Sequence, residues 1–171
     1  TVNAGSPTLT GSGTTWNNSG TIDIGGAERI FIYNSGTLNN LAAGTINDTT
    51  SRVNPLEGNG STATFVNSGT FNKQSATTTS MGSAFNNTAT VNVNAGTMLM
   101  NGGGTDSGVF NIADGAKLEF RNGAHTLNNV TTSGLGTFQI STENVGGDAT
   151  VTVNGGTHTT PFLMSGSSMN G

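Results

Sequence analysis

The chain has no cysteine, three prolines, one tryptophan and one tyrosine among its 171 residues. Each scarcity excludes something. Without cysteine there are neither disulfides nor thiolate metal sites. Charged residues make up only 8% and the net charge is −4. The five Lys and Arg are scattered, so no basic stripe for nucleic acid exists. No apolar run reaches the 18 or so residues that a membrane helix needs. Apolar residues amount to only 32%.

What fills the chain instead is small and polar. Thr occurs 30 times, Gly 27, Asn 23 and Ser 16. Disordered segments share low hydrophobicity but normally carry high net charge and few β-branched residues. Here Val, Ile and Thr are plentiful. This is a strand-and-turn composition.

One phrase recurs: apolar, Asn, Ser or Thr, Gly or Ala, Thr, apolar, Asn or Asp. It reads WNNSGTID from Trp16, YNSGTLN from Tyr33, FVNSGTFN from Phe65 and FNNTATVN from Phe85. Looser copies are AAGTIND from Ala42, NAGTMLM from Asn94, DSGVFNI from Asp106, ADGAKLEF from Ala113 and LGTFQI from Leu135. After each Gly or Ala the chain alternates with period two, the mark of a half-buried strand. Gly20 to Gly44, Gly69, Ala89 and Gly108 are separated by 24, 25, 20 and 19 residues, with further copies at Gly36, Gly96 and Gly115 between. Each step therefore holds two or three short strands, and Gly punctuates too often for helices.

Such a repeat predicts a single all-β domain over 1–171, a parallel β-solenoid of seven or eight coils. At about 4.8 Å per coil the axis spans on the order of 35–40 Å. Ile22, Leu38, Ile46, Phe71, Val91, Val93, Phe110 and Ile112 are the expected inward positions. Asn17, Asn34, Asn67 and Asn86 are the expected amide-ladder positions. Gly20, Gly36, Gly44, Gly69, Gly108 and Ala89 are the corners, with Gly expected there for φ > 0. Residues 1–15 read as an edge strand or extension, 48–61 as a loop, and 158–171 as a cap or tail.

The segment from Phe85 to Ile140, with the NSGT copies at Asn34 and Asn67, resembles the β-strand repeats of large secreted bacterial surface proteins. These are autotransporter passengers and filamentous-haemagglutinin-like adhesins. The resemblance covers residues 16–153. It implies a right-handed parallel β-helix, secretion or display at the cell surface, and an adhesive or structural role. It carries over no catalytic residue. Those proteins are usually far longer, which implies a fragment or an unusually small relative.

Chemistry is sparse. No two of the nine acids form an Asp-Asp or Asp-x-Asp pair on one strand, and only Asp106 and Asp114 lie close enough to approach. Solvated turn acids are the expectation, without a catalytic residue or cofactor. GGGTDSG, around Asp106, is a weak calcium candidate because the calcium nonapeptide works in tandem. His125 and His158 read as surface or turn residues. Glu28 with Arg29, and Glu119 with Arg121, read as exposed charge pairs of little worth. Trp16 reads as a cap on the core's end or as a contact surface, and Phe162 as a second contact. Met98 and Met100 flank Leu99, so one side of that strand must be covered.

Three functions follow as expectations. The first is an extracellular structural or adhesive module, continued in a longer chain or stacked on its own copies through its ends. The second is a carbohydrate-binding or carbohydrate-active β-helix, with surface glycans as partners. The third is an ice-binding solenoid, suggested by the single Thr150-Val151-Thr152 copy of Thr-x-Thr.

Overall fold

The computed structural model describes residues 8–9, 13–59, 63–141 and 149–165. The described residues form twenty strands and no helix, wound as a parallel β-solenoid. The first rung carries β1 (Thr8–Leu9), β2 (Thr15–Asn18) and β3 (Thr21–Ile24). The second carries β4 (Ile30–Tyr33), β5 (Thr37–Asn40) and β6 (Thr45–Asp48). The third carries β7 (Leu56–Asn59), β8 (Thr64–Asn67) and β9 (Thr70–Lys73). The fourth carries β10 (Thr78–Met81), β11 (Ala84–Asn87) and β12 (Thr90–Val93). The fifth carries β13 (Thr97–Met100), β14 (Gly104–Asp106) and β15 (Val109–Ile112). The sixth carries β16 (Lys117–Phe120) and the long β17 (Ala124–Ser133), which turns a corner. The seventh carries β18 (Thr137–Ser141) and β19 (Thr150–His158), and β20 (Phe162–Ser165) stacks on β18.

The rungs build three walls. The first wall stacks β3, β6, β9, β12, β15, β17 and β19. The second stacks β2, β5, β8 and β11, with β14 packed on β11. The third is split into β1-β4-β7 and β10-β13-β16-β18-β20. Ile22, Ile46, Phe71, Val91, Phe110, Thr132 and His158 stack in one inward column of the first wall. Its steps are 24, 25, 20, 19, 22 and 26 residues, making about six turns rather than seven or eight. Corner excursions lengthen the first and last steps, so fewer coils use the same chain.

The interior is narrow and filled by stacked columns. Trp16, Leu38, Phe65 and Phe85 form one. Met81, Met100, Phe120 and Ile140 form another. Phe65 meets Phe85 with ring centroids 4.9 Å apart and Phe71 at 5.7 Å, both edge-on. Each fully buried side chain of this kind contributes about 1.5–3 kcal/mol. A core one side chain deep per wall needs few hydrophobes, which reconciles order with the apolar content.

Two boundaries differ from expectation. The stretch 48–61 is not all loop, because Asp48 closes β6 and β7 lies within it. The wall breaks there instead, between β7 and β10. At 158–171, His158 closes β19 and β20 continues the third wall, so a strand stands where a cap or tail was expected. Residues 166–171 lie outside the described ones, as do 1–7 of the N-terminal extension.

Candidate functional site: amide ladders and buried charges

The recurring phrase is a corner between the second and first walls. Strand parity decides which Asn goes inside. The residue two after an inward apolar one also points inward, so Trp16, Leu38, Phe65 and Phe85 select Asn18, Asn40, Asn67 and Asn87. These four are buried. Asn18 Nδ2 donates to Asn40 Oδ1, Asn40 to Asn67 and Asn67 to Asn87, each at 2.8 Å. The second N–H reaches corner carbonyls, Thr70 O from Asn40 and Thr90 O from Asn67, both at 3.0 Å. Of the expected ladder positions only Asn67 belongs here. Asn17 points outward and accepts from Asn39 at 2.9 Å, and Asn86 points outward and accepts from the Thr105 N–H at 2.8 Å. Asn34 makes a corner with Ser35, both at positive φ (48° and 61°).

The corner glycines are needed for a different reason than expected. Gly20, Gly44, Gly69 and Gly108 do not have positive φ. A Cβ on Gly69 would lie 2.3 Å from the carbonyl oxygens of Gly44 and Leu41, and one on Gly44 2.5 Å from Asn18 O. Gly selects itself by the close approach of successive coils, and only Gly20, in the first rung, has open space.

A second ladder runs outside the first wall. Asn47 donates to Asp23 at 2.7 Å. Asn72 donates to Asn47, Asn92 to Asn72 and Asn111 to Asn92, each at 2.8 Å, and Ser133 Oγ donates to Asn111 at 2.7 Å. The two ladders run in opposite directions. The inner one donates toward the C-terminus and the outer one toward the N-terminus, and beyond the last donor each reaches an aspartate, Asp106 or Asp23.

Several charged groups expected in solvent are inside. Asp106 is buried, its Oδ1 accepts the Asn87 backbone N–H at 2.8 Å, and its Oδ2 has no hydrogen-bond partner. Burial pushes its carboxyl up to about 7 against that hydrogen bond. Asp114 is exposed, so the two acids face opposite sides of the wall. Among the described residues no three His, Cys, Asp or Glu gather to hold a metal.

Asp48 and Lys73 are stacked neighbours in the inward column Ile24-Asp48-Lys73-Val93-Ile112. Both are fully buried. Asp48 accepts from Thr79 Oγ1 at 2.5 Å and from the Thr50 N–H at 3.2 Å. Lys73 Nζ donates to Ser75 Oγ at 2.8 Å and Ala95 O at 3.1 Å. Burial raises the Asp48 carboxyl and lowers the Lys73 amine, and their mutual attraction opposes both shifts.

Glu119 is buried too, although it points outward on the third wall. Arg121 donates to its Oε1 through Nε at 3.0 Å and Nη2 at 2.9 Å, Ser141 Oγ at 2.6 Å, and Lys117 pairs with Oε2. Burial raises this carboxyl, but the bonds from Lys117, Ser141 and Arg121 outweigh it and hold it low. Arg29 pairs with Glu57 of the next coil rather than with Glu28, and lies 3.7 Å over the Phe31 ring. His125 is buried against Phe120, its Nε2 2.8 Å from Asn122 O, and burial lowers its pKa. Leu99 is covered although it points outward, while Met98 and Met100 fill the core.

The last described rung is open. Val153 stacks on Leu127 and Phe162 on Phe138, yet they are 48% and 47% exposed against 1% and 3% one rung below. At the other end Trp16 is half-buried and packs against the core. No family model, no curated protein and no solved structure matches the chain.

Proposed function

We propose that this chain is a non-enzymatic structural or adhesive β-solenoid module of the extracellular surface, acting through its ends. The observation that supports it is the half-exposed pair Val153 and Phe162, core-column residues with no described side chain above them. Edge strands β19 and β20 hydrogen-bond to one described neighbour each, and an unpaired parallel edge templates further pairing. The occupant is the next coil, supplied by a longer chain or by the first rung of a second copy. Secretion rests on the resemblance of the repeats to bacterial surface proteins.

Sedimentation velocity over a concentration series, with electron microscopy, tests stacking. End-to-end rods that lengthen with concentration, and that Phe162→Lys shortens to single modules, are the expected result. A chain that stays monomeric throughout, with Phe162→Lys sedimenting alike, overturns self-stacking.

A further inference from the structure

The outer face of the first wall is a two-rank lattice. Thr21, Thr45, Thr70 and Thr90 stack in one rank, continued by Val109, Thr131 and Thr157. Val109 preserves the γ-methyl of Thr. Two residues further along each strand lies the amide rank from Asp23 to Ser133. The ranks are about 6.7 Å apart and the rungs about 4.8 Å, both spacings set by backbone geometry. From Thr45 to Ser133 the outward residues of both ranks are uniformly half-exposed. No charged residue lies in either rank over that span.

The side chains are held in place before any ligand arrives. Each ladder amide uses one N–H and its oxygen along the rank. Its second N–H remains for whatever lies over the wall, beside a Thr hydroxyl and methyl on every rung but one. A protein partner fits this surface poorly. Protein interfaces favour aromatic residues, Met and Arg at their centre, and none is present here. The face is on the order of 30 Å by 10 Å, well below the roughly 800 Å² per partner of a standard interface.

A rigid, uncharged array with two fixed repeats suits a ligand that is itself a lattice. We propose that the first wall binds ice, ordering a water layer over the Thr and Asn ranks that merges with the crystal. Both in-plane spacings lie close to repeat distances of hexagonal ice. The site differs from the Thr150-Val151-Thr152 segment, which lies on β19 above the second wall's corner. It is also independent of the solenoid ends, so stacking and ice binding fail separately.

The test is inhibition of ice recrystallisation, with thermal hysteresis, on the intact chain and on Thr70→Lys, Thr90→Tyr and Thr137→Lys. Circular dichroism verifies the fold of each. Thr137 is half-exposed on the third wall and serves as the control. The expected result is inhibition by the wild type and by Thr137→Lys, lost in both first-wall variants. A folded wild type without inhibition overturns the proposal. So does inhibition that survives both first-wall substitutions. Dimerisation abolished by Thr90→Tyr, with no ice activity, would make the wall a contact between copies and overturn it equally.

Discussion

Asp106 sits one coil beyond Asn87, at the place where the next buried amide of the inner ladder would stand, and accepts the Asn87 backbone N–H at 2.8 Å. A carboxylate there has one satisfied oxygen and one without a partner. The ladder thus ends in the group that burial most disfavours in its charged form.

A pH dependence follows from that placement. Asp106 has a folded-state pKa of about 7 against an ordinary 3.8. The folded chain therefore holds this proton more tightly than the unfolded chain. Its stabilising contribution is complete below about pH 4 and is lost as pH rises through about 7. Asp106→Asn removes the ionisation. The variant should be more stable than the wild type near pH 8 by roughly 2–4 kcal/mol, with the advantage shrinking toward pH 4. Urea midpoints across this range check it. His125, whose lowered pKa acts in the opposite sense, is common to both proteins and cancels. A wild type and variant with parallel pH profiles would show that Asp106 does not hold its proton.

The two ladders should differ in worth. Asn67→Ala leaves the Asn40 N–H, the Asn87 Oδ1 and the Thr90 carbonyl without a partner inside the wall. A buried polar group left unpaired costs about 1–3 kcal/mol. The substitution should cost roughly 3–5 kcal/mol. Asn92→Ala breaks two outer bonds that water replaces, and should cost about 1 kcal/mol or less. Thermal melts suffice, at about 2–4 °C per kcal/mol for a chain of this size. Equal losses would mean that the inner amides are not the ones holding the coils.

The winding was legible because the alternation and the corner phrase recur, and the inward set from Ile22 to Ile112 lies in the core as read. Parity within the phrase was also present but went unused. Asp48 follows Ile46 by two and Lys73 follows Phe71 by two, which places both inside. Treating charge as a sign of solvent hid this, and likewise Asp106, Glu119 and His125. The doubled Asn misled in the same way, since the second of Asn17-Asn18 and of Asn86-Asn87 is the buried one. The Thr and Asn ranks were hidden for another reason. Steps between 19 and 26 residues conceal which Thr stands over which until the register is known.

Corner glycines give a paired test of close approach. Gly69→Ala places a methyl 2.3 Å from two backbone oxygens of the preceding coil, and these cannot yield without shifting the coil. A loss of roughly 1–3 kcal/mol is expected, the usual range for overpacking. Gly20→Ala meets nothing within 4 Å and has no positive φ, so it should change stability by about 0.5 kcal/mol or less. Melting both variants beside the wild type decides the matter. Equal losses would return the explanation to backbone freedom.

The buried pair Asp48 and Lys73 calls for a double-mutant cycle. Each interrupts an otherwise aliphatic column between Ile24 and Val93, and each has hydrogen bonds of its own. Lys73→Met removes the one cation in electrostatic reach of Asp48 named above and leaves the carboxyl to Thr79 and Thr50 alone. Breaking such a pair from one side costs about 3–5 kcal/mol, whereas replacing both members by apolar residues is often neutral or stabilising. Asp48→Leu with Lys73→Met should therefore recover most of what Lys73→Met loses, a coupling of about 2 kcal/mol or more. Denaturant unfolding of the two single variants and the double one measures it. Additive losses would show that the hydrogen bonds from Thr79 and to Ala95, rather than the ion pair, hold these groups inside.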